Sequence, residues 1–196
     1  MTSRPVPGPI ILVRHGEPAL TRDLWINARG YREWWAAYEV GGLKSPQSPP
    51  DDLGPLIADA FELTASTLRR SLESAQALAQ GRPIHPHGLF VEAPLPPPPL
   101  PDWLKLRPRW WGVIARAWWQ LLPPRTGEET PRQARDRAER GARELIARAD
   151  RGETVVLVAH GWFNLLIGRA LMRRGWRRTL DQGFRHWCAR RFEAPP

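Results

Sequence analysis

Cysteine is nearly missing from this 196-residue chain. Cys188 stands alone, so no internal disulfide can form and a cytoplasmic compartment is the default expectation. Long apolar runs are missing as well. None approaches the roughly 20 residues that span a bilayer. The opening MTSRPVPGP has no apolar signal core, so export is not expected. There is no solenoid repeat, no heptad pattern and no basic tail or arm. Lysine is scarce; the formal net charge of +9 comes mainly from arginines spread over several segments. Charge distributed in this way favours small anionic partners, and no nucleic-acid partner is expected from it. Nothing in the sequence speaks to oligomeric state.

What remains is 42% hydrophobic and 25% charged, the balance of a globular protein. The length suits one domain over residues 1–196, with 94–124 as a lid-like insertion. The apolar runs PIILVRH and TVVLVAH read as strands buried on both faces, as in a parallel sheet. A Trp/Tyr-rich helical pattern covers 19–40 and stops at Gly41 and Gly42. A short helix follows from Asp52 to Ala60, then a short strand at FELTAS. STLRRSLESAQALAQ is a helix with Leu68, Leu72, Ala75 and Leu78 on one face. Another strand is expected at GLFVEA, and PLPPPPLP is an extended connector. Thr130 to Ala149 carries the clearest helix, with Thr130 and Gln133 placed for a capping box and Pro131 in the first turn. A helix over 162–174 and a last strand around HWCARRFEA complete the chain. Strands alternating with helices predict an α/β three-layer sandwich: a mostly parallel central sheet flanked by helices.

In such sheets the working groups gather at the carboxyl ends of central strands. Two strands here end on His-Gly, at His15 and His160, and the first also carries Arg14. A metal site would want carboxylate or cysteine ligands, whereas a fixed guanidinium repels a cation and draws an anion. The combination therefore points to an oxyanion pocket, most naturally for phosphate, with one histidine as nucleophile. No metal or other cofactor is expected. An imidazole with a pKa of about 6.5 is mostly neutral at cellular pH, and a neighbouring arginine favours the neutral form.

LVRHGE resembles the signature of the histidine phosphatase superfamily, the phosphoglycerate-mutase-like branch-1 phosphatases. SxLxRxxxSA from Ser66 to Ala75, LFVEA with Glu92, TGEET before the long helix, and VLVAHG with His160 resemble its further motifs, in the same order. The resemblance implies a phosphoglycerate-mutase-like fold and a metal-independent phosphatase. His15 would be the phosphoryl acceptor. Arg14, Arg70 and His160 would hold the phosphoryl oxygens, and Glu92 would be the proton donor and acceptor, with His160 also counted in the catalytic set. Gly16 would permit a sharp turn and help fix the tautomer of His15. Many relatives carry an asparagine where this chain has Thr21, followed by Arg22, and TGEET resembles the family's Gly-Glu-Ser; Thr21, Arg22 and Glu128 are therefore substrate-binding candidates. Glu128 or Glu129 could instead simply favour the start of the following helix. His85 and His87 read as loop residues, and His186 receives no role.

The stretch with Trp103, Trp110, Trp111, Trp118 and Trp119, interleaved with Arg107, Arg109 and Arg116, admits three readings: a cap over the pocket, a helix lying on an anionic membrane surface, or packing against the core. Packing combined with a cap is favoured. The function expected is hydrolysis of a phosphomonoester on a small metabolite through a phosphohistidine. The alternatives are a phosphotransferase or mutase, and a non-catalytic phosphate-binding protein of the same fold.

Overall fold

The computed structural model describes residues 5–122 and 127–195. Pro123 and Pro124 of the expected 94–124 segment, and Thr126 of TGEET, lie outside the described residues. Six strands form one sheet in the order β3-β2-β4-β1-β6-β5. They are β1 (Ile10–Arg14), β2 (Leu63–Ser66), β3 (Ile84–His87), β4 (Val155–Ala159), β5 (Arg177–Asp181) and β6 (Ala189–Glu193). β3, β2, β4 and β1 run parallel, while β6 is antiparallel to both β1 and β5.

Period-two alternation in the central strands explains the three layers. Ile10, Leu12, Val155 and Leu157 face one core with α5 (Pro131–Ala149) and α6 (Gly161–Arg173). Ile11, Val13, Val156 and Val158 face the other, with Ala75 and Leu78 of α3 (Arg69–Ala79). Every residue of β4 is buried, so its apolar run is required on both sides. A third cluster joins α1 (Ala28–Val40) to α4 (Pro108–Leu121) through Tyr31, Leu95 and Trp111. Among the described residues no helix is long and apolar enough to cross a membrane.

Several boundaries differ from expectation. α1 begins at Ala28 rather than in the region of 19, because the Asn27 side chain caps it on the Gly30 N–H (2.9 Å) and Ile26 bridges to Leu106. α2 is a single turn (Leu53–Leu56), after which the chain continues through i→i+3 bonds at Ile57 and Ala60. The GLFVEA strand is replaced by a 3-10 turn at Gly88–Phe90, and the strand lies earlier, at β3. A neighbouring strand is unnecessary after β3 because arginines serve the backbone. Arg137 donates to the carbonyls of Leu89 and Val91 (2.8 Å each), and Arg116 to those of Ala93 and Pro94 (3.3 and 3.0 Å). His85 and His87 are strand residues, not loop residues; they pair with Glu62 and Glu144, away from the cavity described below. β5 had no signal, being an exposed edge strand of sequence RRTLD. The capping box of α5 is formed in full by Thr130 and Gln133.

Candidate active site

Four adjacent parallel strands deliver the chemical groups to one end of the sheet. His15 follows β1 and His160 follows β4, and the register pairs Arg14 with Ala159. The His15 N–H donates to the Ala159 carbonyl (2.9 Å), which sets the two imidazoles side by side with ring centres 5.2 Å apart. Arg70 enters from the first turn of α3, after β2, and Glu92 from the segment beyond β3. A cavity of about 470 Å³ is lined by Arg14, His15, Arg70 and Glu92, together with the aromatic face of α1 and one side of α4.

His15 is 2% exposed, and its Nδ1 lies 2.7 Å from the Gly16 carbonyl. A carbonyl only accepts, so Nδ1 carries the proton and Nε2 keeps its lone pair. The Gly16 carbonyl thus fixes the tautomer as expected, although its backbone is not left-handed. A Cβ there would fall 2.5 Å from both the Gln47 Oε1 and the Trp187 ring, so close packing excludes a side chain. Its N–H donates to Ser74 Oγ (2.8 Å), and Ser74 Oγ donates to the Arg70 carbonyl (2.6 Å). That pair of bonds ties the first motif to the second and gives the serine at 74 a physical role. The buried face of α3 accordingly starts with Arg70, Ser71 and Ser74 before it turns apolar.

Arg70 is fully buried. Its Nη1 donates to the Tyr38 and Glu39 carbonyls (2.9 and 3.3 Å), and its charge lies 4.5 Å from the Tyr38 ring centre. Nε and Nη2 have no partner among the described residues. Arg69, next to it, is at the surface with Glu73 (2.7 Å). Arg14 Nη1 donates to the Phe184 carbonyl, and its buried Nε has no partner among the described residues. Gly161 makes room for it: a Cβ there would lie 3.2 Å from that Nε. His160 places Nε2 at 2.9 Å from Ser66 Oγ and 3.3 Å from Ser71 Oγ, while its buried Nδ1 is unpartnered among the described residues. Both hydroxyls can donate to Nε2; in that tautomer the imidazole proton is on Nδ1. The Glu92 carboxylate accepts the N–H groups of Ala93, Trp162 and Phe163 (2.9, 3.3 and 3.1 Å), so it is fixed at the N-terminus of α6.

The remaining candidates divide. Arg22 lines the same cavity and donates to the Tyr38 hydroxyl (3.1 Å). Thr21 does not line it: its hydroxyl accepts the Asp23 N–H (3.2 Å), and it borders a neighbouring depression. Glu128 borders an adjoining cavity that shares Trp35, Glu92 and Leu95 with this one, and Glu129 pairs with Arg137 (2.7 Å). His186, given no role from sequence, lies 5.8 Å ring to ring from His15, with a buried Nε2 unpartnered among the described residues. It arrives through the antiparallel β6: Arg14 N–H bonds the Cys188 carbonyl (2.9 Å) and Trp187 N–H the His15 carbonyl (3.3 Å). No local sequence signal encodes that pairing.

Electrostatics keep the imidazoles neutral. Burial, then the charges of Arg70 and Arg14 and, for His15, the His160 ring, hold His15 and His160 well below the ordinary 6.5. Burial, aided by Arg14 and Arg22, lowers His186 to about 3. Each of these groups binds a proton near its ordinary value once the chain unfolds. The unfolded state therefore takes up more protons as pH falls below about 6.5, and stability drops in that direction. The Tm is expected to decline from pH 7 to pH 5, and His186→Gln should make that decline shallower. A Tm that rises or stays level over this interval would contradict the assignment. The carboxylates held low by hydrogen bonds and arginines, such as Glu73 and Asp181, titrate below this window.

The chain belongs to the histidine phosphatase superfamily, branch 1, whose family model matches residues 10–189. Solved structures of similar fold include a phosphoserine phosphatase from Entamoeba histolytica in complex with 3-phosphoglyceric acid, at 18% identity and TM-score 0.50, covering 85% of this chain and 80% of that one. A mycobacterial glucosyl-3-phosphoglycerate phosphatase is 19% identical, with TM-score 0.51 and coverage of 85% and 82%. A putative alpha-ribazole-5'-P phosphatase from Escherichia coli is 22% identical, with TM-score 0.51 and coverage of 83% and 79%. No curated protein sequence matches this chain.

Proposed function

We propose that the protein hydrolyses a phosphomonoester of a small metabolite through a phosphohistidine at His15, without a metal ion. One observation carries this reading: Arg14 Nε, Arg70 Nε and Nη2, and His160 Nδ1 are buried nitrogens unpartnered among the described residues, the three guanidinium nitrogens being donors in any state, and they belong to residues grouped about the His15 imidazole. Buried polar groups are normally paired, so donors left open in this number suit a ligand that arrives with acceptors. A tetrahedral dianion supplies them. The named phosphatases of similar fold support the same reading, as does a cavity of the size small molecules occupy.

The proposed steps use the groups at these positions. Nε2 of His15 attacks phosphorus and the P–O ester bond breaks. Glu92 in its protonated form gives its proton to the departing oxygen. Arg14, Arg70 and His160 hold the three equatorial oxygens as charge redistributes. Water then attacks the phosphorus, Glu92 takes its proton, and the N–P bond breaks to release phosphate and neutral His15. Arg22 and α4 would cover the organic part, with the segment before α4 as part of a lid.

Glu92→Gln provides the test. With an alkyl phosphate, whose leaving oxygen needs a proton, kcat should fall by about 10²–10⁴. With p-nitrophenyl phosphate, whose leaving group departs unprotonated, the first step should survive and phosphoenzyme should accumulate. Equal slowing of the phosphorylation step on both esters, with no phosphoenzyme accumulating, would contradict the role of Glu92. A wild-type protein that turns over neither ester in the presence of chelator would favour the non-catalytic phosphate-binding alternative.

A further inference from the structure

The cavity has a second polar region that phosphoryl transfer leaves unused. Tyr31 of α1 is 0% exposed, and its ring is stacked between Trp34 and Trp111 (5.9 and 5.7 Å). Its hydroxyl nevertheless has no partner among the described residues. Burial raises its pKa, so it remains an O–H. Trp162, the second residue of α6, is in the same condition: its backbone N–H serves Glu92, but its buried indole N–H is unpartnered among the described residues. Both side chains line the cavity.

Arg116 connects the two. Its guanidinium lies 4.9 Å from the Trp162 ring centre, and its charge acts on both Tyr31 and Glu92. One turn earlier on α4, Gly112 is opposite the Tyr31 hydroxyl; even a Cβ there would remain 3.9 Å away. The helix thus brings no side chain of its own against that hydroxyl at this position. A buried donor without a partner costs stability, and two facing one cavity call for a common ligand.

Arg14, Arg70 and His160 act on the His15 imidazole, whereas Trp162 lies against Arg116 and its backbone N–H holds Glu92, and the Arg116 charge acts on Tyr31; in the phosphatase reading the second group belongs with the leaving group. We infer that Tyr31 and Trp162 form a leaving-group subsite that hydrogen-bonds an oxygen carried next to the scissile ester, so that the substrate is a phosphomonoester of a polyhydroxylated alcohol rather than of a plain alkyl one. This rests on the phosphatase reading of the same cavity. The indole N–H donates to that oxygen, and the Tyr31 hydroxyl either accepts its proton or donates to it. Trp34, Trp35 and Tyr38 supply aromatic faces for the C–H side of such a skeleton.

The experiment uses calorimetry on the His15→Ala protein, which cannot turn the ester over but keeps the phosphate-holding groups. Glycerol 1-phosphate is compared with n-propyl phosphate, which has the same carbon chain without hydroxyls. The glycerol ester should bind at least about tenfold more tightly. Adding Tyr31→Phe, or separately Trp162→Phe, should bring the two esters within about threefold while affinity for inorganic phosphate is retained. Equal affinities in the parent, or equal weakening of both esters in the variants, would overturn the subsite. Binding of phosphate but of neither ester would overturn it too. Failure of the wild-type protein to hydrolyse p-nitrophenyl phosphate is a separate result: it rejects the phosphatase reading, while the binding ratios still judge the subsite.

Discussion

Replacing His15 with alanine is expected to lower kcat on p-nitrophenyl phosphate by about four orders of magnitude or more. The reason is local. His15 Nε2 carries the lone pair in this cavity because Nδ1 is committed to the Gly16 carbonyl. His160 cannot substitute, since its Nε2 is turned toward Ser66 and Ser71. A water molecule attacking directly would lack both the nucleophilicity and the fixed position of the imidazole. Binding of inorganic phosphate should survive within about tenfold, because hydrogen bonds to charged groups carry most of the affinity and the arginines remain. The measurement is kcat beside phosphate affinity. A variant that retains a tenth of wild-type turnover would place the nucleophile elsewhere.

Arg70→Met should produce the second large effect. The guanidinium is buried with one nitrogen anchored on the Tyr38 and Glu39 carbonyls, leaving Nε and Nη2 open as a fork. A fork of this kind matches two phosphoryl oxygens at once, and its charge acts where water is excluded. Loss of kcat/KM by about 10³ or more is expected. Stability offers an independent readout. Phosphate at a hundred times its Kd stabilises a native site by about 2.7 kcal/mol, which for a chain of this size raises Tm by roughly 5–10 °C. That shift should appear in the wild type and vanish in Arg70→Met. Without phosphate the two proteins should differ little. The variant loses bonds to two carbonyls but also removes a buried charge with open donors, and these effects oppose each other. A variant that keeps the phosphate-induced shift would remove Arg70 from the site.

How much of this could be read from the chain depends on whether the signal is local. β1 and β4 were legible because both faces of each are buried, which forces uninterrupted apolar runs. α5 was legible because its capping box lies within four consecutive residues. Arg14, His15, Arg70, Glu92 and His160 could be proposed because each matches a short motif; the structure lines one cavity with the first four and sets His160 against His15. The GLFVEA segment misled because an apolar run beside a sheet reads as a strand, whereas distant Arg137 and Arg116 satisfy its carbonyls. Thr21 was suggested by its distance from His15 and Glu128 by the TGEET motif; the Thr21 hydroxyl holds a local turn, and Glu128 borders an adjoining cavity that shares Glu92. His186 and Tyr31 gave no sign, because their place at the site depends on the register of β6 and on the packing of α1 against α4. Trp162 instead lies two residues after His160, beside a motif, but an indole carries no signal of its own there.

The central claim is a covalent bond between phosphorus and one imidazole. Rapid mixing of the wild-type protein with a phosphomonoester, quenching in base to preserve the acid-labile N–P bond, and tryptic digestion followed by mass spectrometry tests it directly. Cleavage after Arg14 and Arg22 releases HGEPALTR, residues 15–22. The account predicts one added phosphoryl group on that peptide at His15, enriched in Glu92→Gln and lost on acid treatment. Turnover with no phosphoryl group on that peptide, or with the group on another residue, would contradict it.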